Sequence, residues 1–361
     1  MNNKPTPLNI AIAGAGIMGL STAYALSRAL PNAQITIFDS NGFPANNASF
    51  IAGGMLTPYS ELDHMPAAYL PAAAHSITLW ADMSEKLGNN FEFAQNGSLL
   101  IAHNEDRYLL ERYKSILPAN DQNWRAVNAR EISDIEPALP AQKFPVGLNI
   151  KREAHLNPRL AMDALCKAIE NKHTTELNID KASQTHNYVI DCRGMRSKTD
   201  IPELRGVKGE VLVVHNPEFT LARPVRLMHP RYPLYIVPRA DNVFLIGATI
   251  IESANNKTVS IRSGLELLSA LYSLHPSFAD AHILEMRADI RPALPDNMPA
   301  ITLENNIIRA NGLYRHGFLL APVMAQCISA LITNKTNEYL PLFLKGDHSH
   351  ADHSERQAAY A

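Results

Sequence analysis

Three glycines near the start of the chain constrain its fold more than any other feature. An apolar run, Asn9 to Ala13, leads into Gly14, Gly16 and Gly19 in the spacing G-x-G-x-x-G. Ile17 to Leu30 then carries a helical pattern, and Gln34 to Phe38 reads as a second strand ending at Asp39. A strand–turn–helix–strand unit uses all three glycines. The first allows the tight turn, the second lets main chain approach a pyrophosphate, and the third lets the helix lie on the strand. The helix start offers unpaired N–H groups and a partial positive charge to phosphates. Asp39 lies 20 residues past Gly19, where a carboxylate takes ribose hydroxyls. The unit specifies a dinucleotide but does not separate NAD from FAD.

At 361 residues the chain exceeds one usual core, so two domains are expected. Apolar residues at 46% and charged residues at 19% suit a globular protein rather than a disordered one. A net charge of −2 gives no electrostatic footprint for nucleic acid. No apolar run approaches the ~18 residues of a transmembrane helix. The N-terminal MNNKPTPLN lacks the apolar core of a signal peptide. Cys166, Cys192 and Cys327 are far apart and form no C-x-x-C, which argues for buried thiols in a reducing compartment and against a flavin–disulfide reductase. A cytoplasmic protein with neither nucleic-acid nor membrane partner is expected.

Asn46 to Pro58 (NNASFIAGGMLTP) is a small, polar, glycine-rich run that would let backbone and hydroxyls lie close to a flat ligand. It has no clear use in an NAD-dependent dehydrogenase. Ala67 to Leu87 has helical periodicity with Leu70, Ile77, Leu79, Trp80, Met83 and Leu87 on its buried face. Phe91 to His103 reads as two strands around the hairpin signal Asn96-Gly97. Helices are expected at Asn104–Leu117, Ala129–Ile135 and, capped by Asn157, Arg159–Asn171; Pro145–Ile150 is a strand. Tyr188–Cys192 is a buried strand whose Arg193-Gly194 turn would return the chain beneath the dinucleotide. Lys208–His215, Leu234–Pro238 and Val243–Thr249 suggest an antiparallel sheet. Ser260–Leu274 and Phe318–Ile332 read as helices, and Glu285–Ile290 and Ile307–Ala310 as strands. The polar tail after Gly346, despite its three histidines, reads as mobile rather than metal-binding.

Three stretches carry site chemistry. Leu234 to Arg239 holds Tyr235, Arg287 to Pro292 holds Arg291, and the glycine-bounded loop Asn311 to Pro322 holds Arg315. A guanidinium fork and a phenol are what a small carboxylate substrate needs. Arg291 read alone is equally a surface arginine, and Arg315 equally a phosphate or salt-bridge partner. A helix starting near Phe318 aims its positive end at whatever lies on it, which suits the negative charge of a reduced flavin.

The segments GAGIMG, AGGML, AHLNP, GVKGEVL, YIVPR, LIGAT, DIRPALPDNMPAI and YRHGFLLAPV span Asn9 to about Phe343. Together they resemble the D-amino-acid-oxidase superfamily of flavoproteins. Those from Lys208 to Thr249 and the last loop are most similar to its glycine oxidase group, of the thiazole branch of thiamine biosynthesis. The resemblance implies an α/β (α+β) fold: a Rossmann-like FAD-binding domain (1–88, 155–207, 285–345) with an interleaved antiparallel-sheet substrate domain (89–154, 208–284), then the tail 346–361. It implies non-covalent FAD. Gly14, Gly16, Ile17, Met18 and Gly19 would meet the pyrophosphate, Asp39 and Ser40 the ribose, and Ser49, Gly53, Gly54 and Met55 the pyrophosphate and flavin. Leu156 would hold the adenine through its backbone, Gly194 would lie under the dinucleotide, and Leu313, Tyr314, Arg315, His316, Gly317, Phe318 and Leu319 would close on the ring. Arg291 with Tyr235 would pair with the substrate carboxylate, and Arg315 would stand over the flavin. A covalent flavin would want a cysteine in the last loop, which has none. Ile250, Arg193 and His316 depart from residues often found there.

The expected activity is oxidative deamination of glycine and other small amino acids or amines, with oxygen as acceptor and peroxide as product. The alternative is a D-amino acid or sarcosine-type enzyme using another acceptor or an amine carried on a macromolecule. A homo-oligomer is compatible with both.

Overall fold

The computed structural model describes residues 7–346 apart from 232 and 256–257. The tail expected to be mobile lies, from residue 347, outside the described residues.

Two large sheets organise the chain. The first has six strands in the order Ala300–Glu304, Ile307–Asn311, Tyr188–Asp191, Asn9–Ala13, Gln34–Phe38, Asn171–His173. All neighbours run parallel except the antiparallel pair at Ala300–Glu304. Its central strands are short apolar runs, as expected of parallel strands covered on both faces. Ala13 pairs with Phe38 on one side and Asp191 on the other. The carboxyl ends of three strands therefore open into one crevice, where ligands of open parallel sheets bind. Helix Ile17–Ala29 packs against helix Gly317–Thr333 within one core cluster.

The second sheet has nine strands. Ile251–Glu252, Arg205–His215, Val243–Gly247, Leu234–Pro238, Val225–Met228, Ser98–Ala102, Val146–Ile150 and Trp124–Asn128 follow in spatial order, and His282–Ala293 pairs along Arg205–His215. It is antiparallel except where Val225–Met228 meets Ser98–Ala102. A separate core of Leu, Ile and Phe side chains lies on it. A two-stranded ladder, Met55–Leu56 with Ala154–His155, holds the end of the glycine-rich run.

Two expectations need correction. Phe91–Gln95 is not the first strand of a hairpin. The main chain of Ala94 bonds with His155 in an isolated bridge, and Ser98–Ala102 finds its partners in Val146–Ile150 and Val225–Met228. Gly97 still turns the chain, at φ +81°. The helix after Asn157 spans Pro158–Lys167 and stops four residues short of Asn171, which starts a strand instead. Lys172 Nζ donates to the carbonyls of Cys166 and Ile169, satisfying the helix end.

Candidate active site

The glycine-rich turn is held by contacts that no larger residue would allow. Gly14 has φ +101°, and a Cβ there would lie 2.5 Å from the Cys192 carbonyl oxygen. A Cβ at Gly19 would lie 1.9 Å from the Gly14 carbonyl oxygen. Gly19 is thus the contact between helix and turn, and it lies off the cavity wall. Gly16 faces the cavity; its nearest neighbour would be Ser49 Oγ at 3.3 Å. Ser49 Oγ accepts from the Ile17 N–H at 3.0 Å, so the glycine-rich run Asn46–Pro58 closes over the helix start.

Asp39 is buried, and its carboxylate accepts from the Ala15 N–H at 2.8 Å, the Asn41 N–H at 2.9 Å and Arg196 Nη2 at 2.8 Å. Arg196 Nη1 also donates to Ser40 Oγ at 2.8 Å. Ser40 stands behind this arginine, off the wall, and Arg196 takes the wall position. Sequence reasoning missed Arg196; its one signal was a place two residues after Gly194. Arg193 also touches the cavity, but its guanidinium is spent on buried Asp191 and on Asp200.

Further along, Gly54 has φ +68°, and a Cβ there would meet the Leu156 carbonyl oxygen at 2.2 Å. Leu156 therefore braces Gly54 from behind, and its N–H donates to the Gly54 carbonyl at 3.0 Å. Arg239 Nη2 donates to the Gly53 carbonyl at 2.5 Å, and Arg159 Nε to that of Phe50 at 3.4 Å. Arg239 follows strand Leu234–Pro238, and Arg159 is bidentate on Glu285 of strand His282–Ala293, so both tie the run to the second sheet. Opposite it, the loop before helix Gly317–Thr333 turns at Gly312, φ +77°, and Tyr314, φ +46°. Trp80 Nε1 fixes the first helical turn by donating to the Phe318 carbonyl at 2.7 Å. Burial pushes the His316 imidazole down to about 4, and its Nε2 has no hydrogen-bond partner among the described residues.

Gly14, Gly16, Ile17, Met18, Asp39, Ser49, Gly53, Gly54, Met55, Gly194 and the whole of Leu313–Leu319 line one cavity of about 600 Å³. Tyr235, Arg291 and Arg315 line the same cavity. Tyr235 stands opposite Gly247 across the ladder, and a Cβ at Gly247 would lie 2.6 Å from its hydroxyl. A Cβ at Gly209 would lie 2.2 Å from Arg291 Nη2, so this guanidinium rests flat on a bare stretch of strand. Arg291 Nη1 donates to the Thr249 carbonyl at 3.1 Å. Arg315 is bidentate on Glu61, with Nε and Nη2 each 2.9 Å from a carboxylate oxygen. This ion pair holds the Glu61 carboxyl down at about 2 against the opposing effect of burial. Glu61 was not expected in the site, since nothing in YSELDH marks it.

Residues 9–331 match the sequence profile of a family described as FAD dependent oxidoreductase. The chain belongs to that family. A Rhizobium etli protein named as a thiamine biosynthesis oxidoreductase, ThiO, is 38% identical over 320 residues, covering 88% of this chain and 94% of the relative. The glycine oxidase of Bacillus subtilis is 26% identical over 355 residues, covering 90% and 92%. The crystal structure of glycine oxidase from Geobacillus kaustophilus superposes with a TM-score of 0.81 at 23% identity, over 96% of this chain and all of that one, and so shares the fold. FAD is the cofactor of an oxidoreductase of this family, and the residues present fit it. The bare Gly16 wall and the helix start face one end of the cavity, and the last loop with its unpartnered imidazole nitrogen faces the rest.

Proposed function

We propose that this FAD-dependent enzyme oxidises glycine and similarly small amino acids. Glycine, oxygen and water would give glyoxylate, ammonia and hydrogen peroxide. The names carried by the relatives support this reading, and so does their tie to thiamine biosynthesis. The observation that carries it is Arg291, a half-buried guanidinium without a carboxylate partner among the described residues, in the same cavity as the glycine-rich turn.

In this reading Gly14, Gly16, Ile17, Met18 and Ser49 hold the pyrophosphate, and Asp39 and Arg196 hold the adenosine ribose. Gly53, Gly54, Met55 and Leu313–Leu319 enclose the flavin. In this reading the cofactor lobe is 1–88, 155–207 and 285–345 and the substrate lobe 89–154 and 208–284, with strand His282–Ala293, paired along Arg205–His215 in the second sheet, passing from one to the other. When bound, FAD would supply a hydride acceptor that oxygen reoxidises in this proposal. The chain's own residues place the substrate. Arg291 binds its carboxylate and Tyr235 donates to it; burial raises the Tyr235 phenol above its ordinary value, so it stays protonated. Enclosure in the cavity disfavours the substrate's charged ammonium form by desolvation, and the neutral amine is the form from which hydride can leave. His316, held neutral, adds no charge. Rate then comes from placement and fixed electrostatics rather than a strong base.

Anaerobic mixing of the purified yellow protein with glycine tests the proposal. Loss of the flavin absorption band with ammonia and glyoxylate formed, then return of the band with hydrogen peroxide formed on readmitting oxygen, is the expected result. A flavin that no small amino acid bleaches would overturn it.

A further inference from the structure

At the substrate end every arginine but one is paired with a carboxylate among the described residues. Arg315 is bidentate on Glu61. Arg226, the next cation, is bidentate on Asp63, at 3.1 and 2.5 Å. Arg291 has the Thr249 carbonyl and no carboxylate. Asp289 also lines the cavity, but makes no ion pair with either arginine among the described residues. His64 and His316 beside the pair are both held neutral by burial.

Glu61 is built into place rather than left to find Arg315. It ends the short helical turn Tyr59–Glu61. The fully buried Glu153 accepts from the Ser60 N–H at 2.8 Å and from Ser60 Oγ at 2.6 Å, and Arg226 donates to the Ser60 carbonyl. Three hydrogen bonds from two side chains thus fix one turn, and that turn aims one carboxylate at the arginine. A free Arg315 would offer a second planar fork to a ligand. Occupied by Glu61 it offers none, and Glu61 presents a negative charge to any second carboxylate that approaches.

We propose that Glu61 sets the charge class of the substrate. By closing the Arg315 fork it leaves the cavity one open carboxylate seat, Arg291, so the site accepts amines bearing one carboxylate and rejects those bearing two. The inference rests on reading this cavity as the amino-acid site, and makes Glu61 a specificity residue.

Non-oxidisable acids test it without turnover. Acetate and malonate are titrated against the oxidised flavoprotein while the flavin absorption band is followed. The native protein should bind acetate better than malonate. Glu61→Gln should bind malonate at least ~10-fold more tightly than the native protein does, with acetate changed less than ~3-fold, and Glu61→Asp should keep the native preference. Arg315→Gln supplies a second measurement should Glu61→Gln lose its flavin. It leaves Glu61 unpaired, so acetate affinity should fall at least ~10-fold and recover in the double variant Glu61→Gln/Arg315→Gln. Malonate and acetate moving together in Glu61→Gln, or acetate affinity unmoved in Arg315→Gln, would overturn the proposal. Glycine turnover measured in parallel separates the two readings. The expected ligand pattern without any turnover supports the role of Glu61 and overturns the oxidase reading. Turnover without the pattern overturns the role of Glu61 alone.

Discussion

Gly209 shapes the site by what it lacks. Any side chain there would enter the space of the Arg291 guanidinium, whose Nη2 would lie 2.2 Å from the new Cβ. Gly209→Ala should therefore displace Arg291 while leaving the strand intact. The apparent KM for glycine should rise at least ~10-fold, with flavin content unchanged; an unaltered KM would show that Arg291 does not seat the carboxylate where it now lies. Removing the fork itself is the harsher test. A charged hydrogen bond is worth about 1.5–3 kcal/mol, so Arg291→Ala should cost roughly 10- to 100-fold in kcat/KM for amino acids. Amines without a carboxylate should lose far less, and equal losses for both classes would speak against the assignment. Tyr235, Arg291 and Arg315 could be picked from the sequence because a phenol and guanidiniums at strand and loop ends are chemically conspicuous. Glu61 could not. It meets Arg315 across 254 positions, and only the folded path of Tyr59–Glu61 over the last loop joins them. Arg196 was hidden for a similar reason, since its contact with Asp39 spans 157 positions.

The N-terminal strand–turn–helix unit separates two uses of glycine. At Gly19 a methyl group would overlap the Gly14 carbonyl oxygen at 1.9 Å, backbone against backbone. Gly19→Ala should destabilise the fold by about 3 kcal/mol, near the top of the overpacking range, and lower the unfolding midpoint even without cofactor. At Gly16 the nearest atom would be a serine oxygen at 3.3 Å, and the methyl would instead project into the cavity. Gly16→Ala should keep apoprotein stability and lose FAD affinity. Apoprotein unfolding and FAD titration distinguish the two; parallel behaviour would mean that both glycines serve packing alone. Elements with a strong local signal were legible to the residue: Asn9–Ala13, Gln34–Phe38, Leu234–Pro238 and Ala129–Ile135. Trp124–Asn128 was not, because it is a mostly exposed edge strand whose polar residues break the alternation. Val225–Met228 was missed because four buried residues after Pro224 are too few to show a period. The Asn96-Gly97 signal marked a real turn but not its partner strand, since strand pairing depends on distant segments.

Across the whole molecule, buried titrating groups set opposite pH slopes. His155 and His316 are 6% and 1% exposed, and burial pushes each imidazole down to about 4. Their folded values lie below the unfolded ~6.5, so the unfolded chain takes up protons first as pH falls. The stability tied to their neutral forms is intact above pH ~6.5 and declines toward pH 4, by about 1.4 kcal/mol per pH unit for each histidine. The Glu61 carboxyl, held at about 2 by Arg315, adds a loss below its unfolded value of 4.5. Glu153 works the other way. Burial raises its carboxyl to about 7, so stability falls as pH rises from 4.5 to 7 and then levels. Between pH 4.5 and 6.5 the two histidines outweigh the one acid, and the unfolding midpoint of the FAD-loaded protein should drop as pH is lowered through that window. His155 pairs through its backbone with Met55 and Ala94 and lies off the cavity wall, so it can be changed without touching a cofactor contact. His155→Gln should leave one histidine and Glu153 offsetting each other, so the net slope over that window should fall to near zero while flavin content is kept. Glu153→Gln should steepen the net slope over the same window, because its opposing contribution is gone. Thermal midpoints at pH 5 and pH 7 for the three proteins decide it: a His155→Gln slope equal to that of the native chain would mean that the imidazole is not neutralised by its surroundings.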